Sequence, residues 1–154
     1  MSDTGLARPE NRQEKQHKRL AMTRILSLDD ESQMLDLLRL ILERVEYECL
    51  GTTDEQEALS ILRTQPIDLF TQDFMRPAGQ CGIEFLRKLK SDETLRDISV
   101  IGVSARARDA RAEELELAGM DIERDLDGYV EKPFGPQNLL EVIEAALRKP
   151  KKPR

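Results

Sequence analysis

Five residues carry side chains suited to gathering a divalent cation and an anion into one place: Asp29, Asp30, Asp73, Ser104 and Lys132. Three carboxylates drawn together repel one another and raise each other's proton affinity, unless a cation sits among them. Mg²⁺ suits such a group, since it takes hard oxygen ligands, keeps several waters and needs only one or two carboxylates plus phosphate oxygens. An ammonium in the same cleft adds nothing to cation binding and opposes it. It makes sense when an incoming anion must be gripped from a second side. Carboxylates, Mg²⁺ and Lys together describe a phosphoryl-transfer site, where positioning and charge neutralisation supply most of the catalysis. A free carboxylate is then the nucleophile, and the product is an aspartyl phosphate. Taken singly, each residue has a plainer reading: a turn or helix cap for the acids and Ser104, a solvated strand end for Lys132. The case for chemistry rests on their meeting.

What brings them together is a repeated β-then-α pattern. Apolar β-type runs at 24–28 (RILSL), 48–50, 67–72 (IDLFTQ), 98–103 (ISVIGV) and 128–131 alternate with helical patterns. The first helix, 32–45, places Met34, Leu37, Leu38, Ile41, Leu42 and Val45 on one stripe. Thr53 or Asp54 can cap the next, which carries Ala58, Leu59 and Leu62. The third carries Ile83, Phe85, Leu86 and Leu89, and the fourth spans 105–119 with Gly119 as its stop. The last spans 137–148 with Leu140, Val142, Ile143 and Ala146 turned inward. Five strands and five helices in alternation call for a doubly wound α/β fold, flavodoxin-like, with a parallel sheet in the order 2-1-3-4-5. In such sheets the functional crevice lies at the carboxyl ends of the strands. The first strand ends at Asp29-Asp30, the third at Asp73, the fourth at Ser104 and the fifth at Lys132, so one edge collects all five.

Length and charge narrow the classes of function. The chain has 154 residues and a net charge of −6. Residues 1–22 hold +2 and residues 148–154 hold +5, which leaves −13 on residues 23–147. Such a body repels nucleic acid, whose binding depends on neutralising phosphates, and suits a divalent cation or a basic partner surface. With no Trp and 4% aromatic residues, a base-stacking platform is unsupported. Cys49 and Cys81 have neither metal-ligand nor disulfide spacing, no signal peptide precedes them and no apolar run approaches a membrane span, so a cytoplasmic setting is expected. His17 stands without partner ligands. The division expected is a flexible basic extension at 1–22, one domain at 23–149 and a basic tail at 150–154.

The segments RILSLDDE, IDLFTQDFMRP, VIGVSA and GYVEKPF, in that order and spacing, resemble the receiver domain of two-component response regulators, over about residues 23–148. The resemblance implies a domain that takes a phosphoryl group from a sensor histidine kinase or phosphotransfer protein onto Asp73, in a Mg²⁺-dependent reaction. Asp30 would ligate Mg²⁺, Asp29 would act largely through water, and the backbone carbonyl of Met75 would complete the protein's share of the coordination. Lys132 would pair with the acids at rest and with the phosphate afterwards. Ser104 would swing its hydroxyl onto a phosphate oxygen, and Tyr129 would be the switch aromatic that turns inward once that hydroxyl has moved. The output would be read from the face made by the fourth helix, the fifth strand and the last helix, by a downstream protein of unknown kind. A monomer or phosphorylation-dependent homodimer is implied, with no DNA or membrane contact and no enzymatic activity beyond weak phosphotransfer and self-dephosphorylation.

Three features depart from the family pattern. The loop MRPAGQCG has one residue more between Pro77 and Gly82, so Gly79 or Gly82 is the turn glycine. The stretch MDIERDLDG between Gly119 and Tyr129 is longer than usual and lies beside the output face. No output domain follows, as in stand-alone receivers such as the chemotaxis regulator. The bulky Met75 side chain cannot orient a water, which points to slow loss of the phosphate. A phosphatase of the haloacid dehalogenase type would carry a second acid where Met75 stands, and a phosphorylation-independent scaffold would usually lack Asp73 or Lys132; neither alternative matches these residues.

Overall fold

A computed structural model describes residues 8–9, 11–13, 22–74 and 82–150. Most of the expected extension and tail, and with them His17, Met75, Gly79 and Cys81, lie outside the described residues. The strands are β1 (Arg24–Leu28), β2 (Glu48–Thr52), β3 (Leu69–Gln72), β4 (Ser99–Ser104) and β5 (Gly128–Glu131). They form one sheet in the order β2-β1-β3-β4-β5, with every neighbouring pair parallel. The helices are α1 (Ser32–Arg44), α2 (Glu55–Thr64), α3 (Gly82–Ser91), α4 (Arg108–Leu117), α5 (Ile122–Asp125) and α6 (Pro136–Arg148).

Successive strand residues face opposite sides of a sheet, so an apolar run buried on both faces feeds two cores at once. Ile25, Leu69 and Ile101 pack with Leu38, Ile41 and Leu42 of α1 and with Leu139, Ile143 and Ala146 of α6. Their chain neighbours Leu26, Phe70 and Val100 point the other way, onto Ala58 and Leu62 of α2, Phe85, Leu86 and Leu89 of α3, and Leu115 of α4. Inside the sheet, Thr71 Oγ1 donates to Ser27 Oγ at 2.8 Å, tying β1 to β3 with a buried polar pair. No helix among the described residues is long and apolar enough to cross a membrane.

The expected fold and strand order hold, and the element count is corrected from five helices to six among the described residues. The additional one is the single turn α5, which lies in the long stretch after Gly119. Asp121 caps it by accepting from the Glu123 and Arg124 N–H groups, both at 2.9 Å, while Asp125 accepts from the Asp121 N–H at 2.8 Å. A turn stabilised by such local polar bonds has no apolar periodicity to announce it. Asp54, the second of the two candidates, caps α2 by accepting from Gln56 N–H at 3.1 Å. Gly119 closes α4 with φ +77, and its successor Met120 donates back to Leu115 at 2.8 Å. Two residues of the expected inward stripe of α1, Leu37 and Val45, are instead exposed.

Candidate functional site

Three residues of the expected constellation are held by the sheet's own hydrogen bonding. The Asp29 N–H donates to Thr52 O at 3.2 Å, the Asp73 N–H to Leu28 O at 3.0 Å and the Lys132 N–H to Ser104 O at 2.8 Å. The three side chains therefore leave the backbone one residue past their strands, on the same edge. Lys132 Nζ lies 2.8 Å from Asp29 Oδ2 and 3.1 Å from Asp73 Oδ2. The second oxygen of Asp29 accepts from the Glu31 N–H at 2.9 Å, at the start of α1. Asp29 and Asp73 are buried and Asp30 is half-buried.

Burial alone pulls the Lys132 ammonium toward deprotonation, but its hydrogen bond and attraction to Asp29, joined by those of Asp73, outweigh this and hold its pKa above the ordinary value. The ammonium is thus charged at neutral pH and partly offsets two of the three carboxylates. One oxygen from each of Asp29, Asp30 and Asp73 falls within a cluster 4.8 Å across. Asp30 Oδ1 is buried and has no hydrogen-bond partner among the described residues. A buried anionic oxygen without a partner is costly, and a hard cation among these three acids would satisfy it. The donor set fits Mg²⁺.

Ser104 closes the same edge from β4. Its Oγ accepts from Arg111 Nη2 at 3.2 Å and from the Arg106 N–H at 3.4 Å. Tyr129 is half-buried; its hydroxyl donates to Arg106 O at 2.6 Å. A Cβ built on Gly102 would fall 2.7 Å from Tyr129 Cδ2 and 2.8 Å from Phe74 Cε2, so the bare α-carbon of β4 makes room for both rings. The Tyr129 ring thus lies beside Gly102 of β4, and the Ser104 hydroxyl oxygen meets Arg111. The long stretch after Gly119 adds a groove of about 420 Å³ beside Tyr129, with Arg108, Ile122, Glu123, Leu126 and Lys149 in its walls.

Of the two candidates for the turn glycine, Gly79 lies outside the described residues and Gly82 opens α3, where space is tight. A Cβ there would stand 2.6 Å from Phe74 Cα and 2.9 Å from Gln72 Nε2. The Gln72 side chain donates to Gly82 O at 2.5 Å, so the start of α3 is pressed against the backbone that follows Asp73. Phe74 Cα cannot yield without moving Asp73. Gly82→Ala is therefore expected to cost about 1–3 kcal/mol, as overpacking at a rigid contact does. A urea midpoint unchanged from wild type would show that α3 can retreat freely.

Residues 25–144 match the response regulator receiver domain family. The chain is 34% identical over 125 residues to the phosphate regulon transcriptional regulatory protein PhoB of Pseudomonas aeruginosa, covering 81% of this chain and 52% of that protein. It is 32% identical over 126 residues to the protein of the same name from Escherichia coli, covering 82% of this chain and 52% of the relative. Among solved structures, a CheY-like response regulator receiver domain protein from Methanospirillum hungatei superposes with a TM-score of 0.68 at 28% identity, covering 82% of this chain and 94% of the other. The response regulator TrrA of Thermotoga maritima, solved with Mg²⁺ and BeF, gives a TM-score of 0.68 at 26% identity, covering 81% and 99%. The chain belongs to the receiver domain family of two-component response regulators, a family of regulators. It spans about half the length of the curated relatives it matches.

The expected acids and Lys132 meet at one edge, with Ser104 and Tyr129 on the neighbouring strands. Arg111, Gly102, Phe74 and Gln72 join them without having been expected there. The one available signal was Arg111 itself, a cation four residues before Leu115 on the inward register of α4.

Proposed function

We propose that this receiver is switched by phosphorylation of Asp73. The observation that carries the reading is the Lys132 ammonium, held between Asp29 and Asp73 at 2.8 and 3.1 Å, opposite an acidic cluster whose Asp30 Oδ1 has no hydrogen-bond partner among the described residues. Mg²⁺ would be held by Asp30 and Asp73, by Asp29 through water and by the Met75 carbonyl; when bound, it supplies positive charge to the phosphate oxygens. An Asp73 oxygen attacks phosphorus in line, the bond from phosphorus to the donor's nitrogen or acyl oxygen breaks, and the leaving group takes the electron pair. Lys132 then exchanges part of its carboxylate contact for a phosphate oxygen, and Ser104 donates its hydroxyl to another.

The donor proposed is a phosphohistidine on a sensor kinase or phosphotransfer protein. The receiver itself makes no DNA contact, in keeping with the −13 of residues 23–147. Its output is read by a partner protein at α4, β5 and α6, beside the groove walled by α5, either as a monomer or as a homodimer formed on phosphorylation, and its setting is cytoplasmic.

The test is incubation with a small acyl-phosphate donor, with and without Mg²⁺, followed by mass spectrometry of the intact chain and its peptides. One phosphoryl group per chain, on the peptide holding Asp73 and only with Mg²⁺, is the expected result. No label would favour the scaffold reading, and rapid turnover of many phosphate esters would favour a phosphatase.

A further inference from the structure

The phosphoryl chemistry just described leaves a buried cation unused. Arg111 is 3% exposed, although α4 is otherwise a polar helix whose inward positions are Arg111 and Leu115. Burying a guanidinium is costly unless its donors and charge are met, and the contacts of Arg111 show what meets them. Nη1 lies 2.6 Å from Glu114 Oε2, Nη2 donates to Ser104 Oγ at 3.2 Å, and the group sits 4.8 Å from the centre of the Phe74 ring. Its Nε is buried with no hydrogen-bond partner among the described residues. Glu114 also pairs with Arg106, the residue whose N–H reaches the same serine hydroxyl.

We propose that Arg111 is a latch on Ser104. A serine oxygen accepts two hydrogen bonds, and here the Arg111 guanidinium and the Arg106 N–H take both, turning the hydroxyl toward α4. To reach a phosphate on Asp73, Ser104 must rotate and give up Arg111, whose Nη2 then joins Nε in lacking a partner. The Glu114 carboxylate already neutralises Arg111, so the guanidinium acts as a positioning group for the serine and not as a second phosphate clamp. Because Arg111 belongs to α4 and Arg106 to the loop leading into it, release of the hydroxyl unloads one hydrogen bond from α4. The latch rests on the phosphoacceptor reading and adds a resting-state restraint to it.

The experiment is the rate of Mg²⁺-dependent labelling by the acyl-phosphate donor for wild type, Arg111→Met and Arg111→Lys, each repeated in a Ser104→Ala background. A hydrogen bond to a charged group is worth enough that its removal raises the population able to react, so Arg111→Met is expected to label about tenfold faster. Arg111→Lys keeps a cation beside Phe74 but cannot fork to Ser104 and Glu114 together, and should accelerate labelling by a smaller factor. In the Ser104→Ala background both accelerations should vanish, which a general loosening of α4 would not produce. Slower labelling in Arg111→Met, or the same acceleration without the serine, would overturn the latch while leaving Asp73 as acceptor. Should Arg111→Met fail to give a folded circular dichroism spectrum, Arg111→Lys carries the same contrast. An unlabelled wild type would overturn both readings together.

Discussion

Asp73→Asn is expected to abolish labelling by an acyl-phosphate donor altogether while leaving the fold intact. In the proposed reaction the carboxylate is the nucleophile, and an amide at the same place offers no comparable electron pair. Folding should be preserved within about 1 kcal/mol, because two electrostatic changes oppose each other. The charge attraction to Lys132, 3.1 Å away, is lost, though an amide oxygen there still accepts its hydrogen bond. Repulsion from Asp29 and Asp30, in the same cluster, is relieved. The measurements are label stoichiometry by mass spectrometry and the midpoint of urea unfolding. Label retained on the variant would move the acceptor away from Asp73; a collapsed midpoint would make the residue structural first.

Lys132→Met should act with opposite signs on two properties of the same pocket. Labelling should slow by about 10²–10³-fold, the usual loss when one preorganised charge facing the reacting oxygens is removed. Mg²⁺ affinity should rise severalfold, since the ammonium competes with the metal for Asp29 and Asp73. In the absence of metal the variant should be less stable, as two buried carboxylates lose the cation between them; adding Mg²⁺ should return much of the loss. The pH dependence follows from the raised pKa of Lys132, whose ordinary value is 10.5. A group held charged by folding stabilises fully below its unfolded pKa and ceases to do so as pH rises through the folded one. Wild type should therefore lose this contribution only above about pH 10.5, and Lys132→Met should show no such loss there. Isothermal titration with Mg²⁺ and urea unfolding across alkaline pH check both signs. Weaker Mg²⁺ binding in Lys132→Met would show that the lysine positions the acids instead of competing for them.

The strands and their order were legible because apolar β-type runs, four of the five stopped by an acid, a serine or a lysine, leave few alternatives. The cluster at the edge followed from the same stops. What escaped has physical reasons. Helical spacing alone cannot tell which side of a broad apolar stripe meets the sheet, so Leu37 and Val45 of α1 were assigned inward and Leu139 of α6 was passed over. The turn of α5 is held by Asp121 and Asp125, residues that read as ordinary loop acids. Gly82 and Gly102 matter through what stands opposite them, Phe74 and Tyr129, and such cross-chain proximity has no local mark. Arg111 did have one, since a charged residue four before a buried leucine breaks the pattern of an amphipathic helix. A helix as polar as α4 hides that mark, because one more charge does not stand out in it.

The backbone bonds that anchor Asp29, Asp73 and Lys132 to Thr52, Leu28 and Ser104 have a consequence for how such a device can change over time. Reactive groups mounted on the rungs of the sheet inherit their spacing from its 4.7–4.9 Å strand repeat, about the same in any parallel sheet. The outer faces of the helices and of the loop holding α5 lie away from those bonds. Replacement of their outer surfaces can redirect the signal to a new listener without retuning the chemistry. The sheet is the part that evolution, or an engineer, must leave alone.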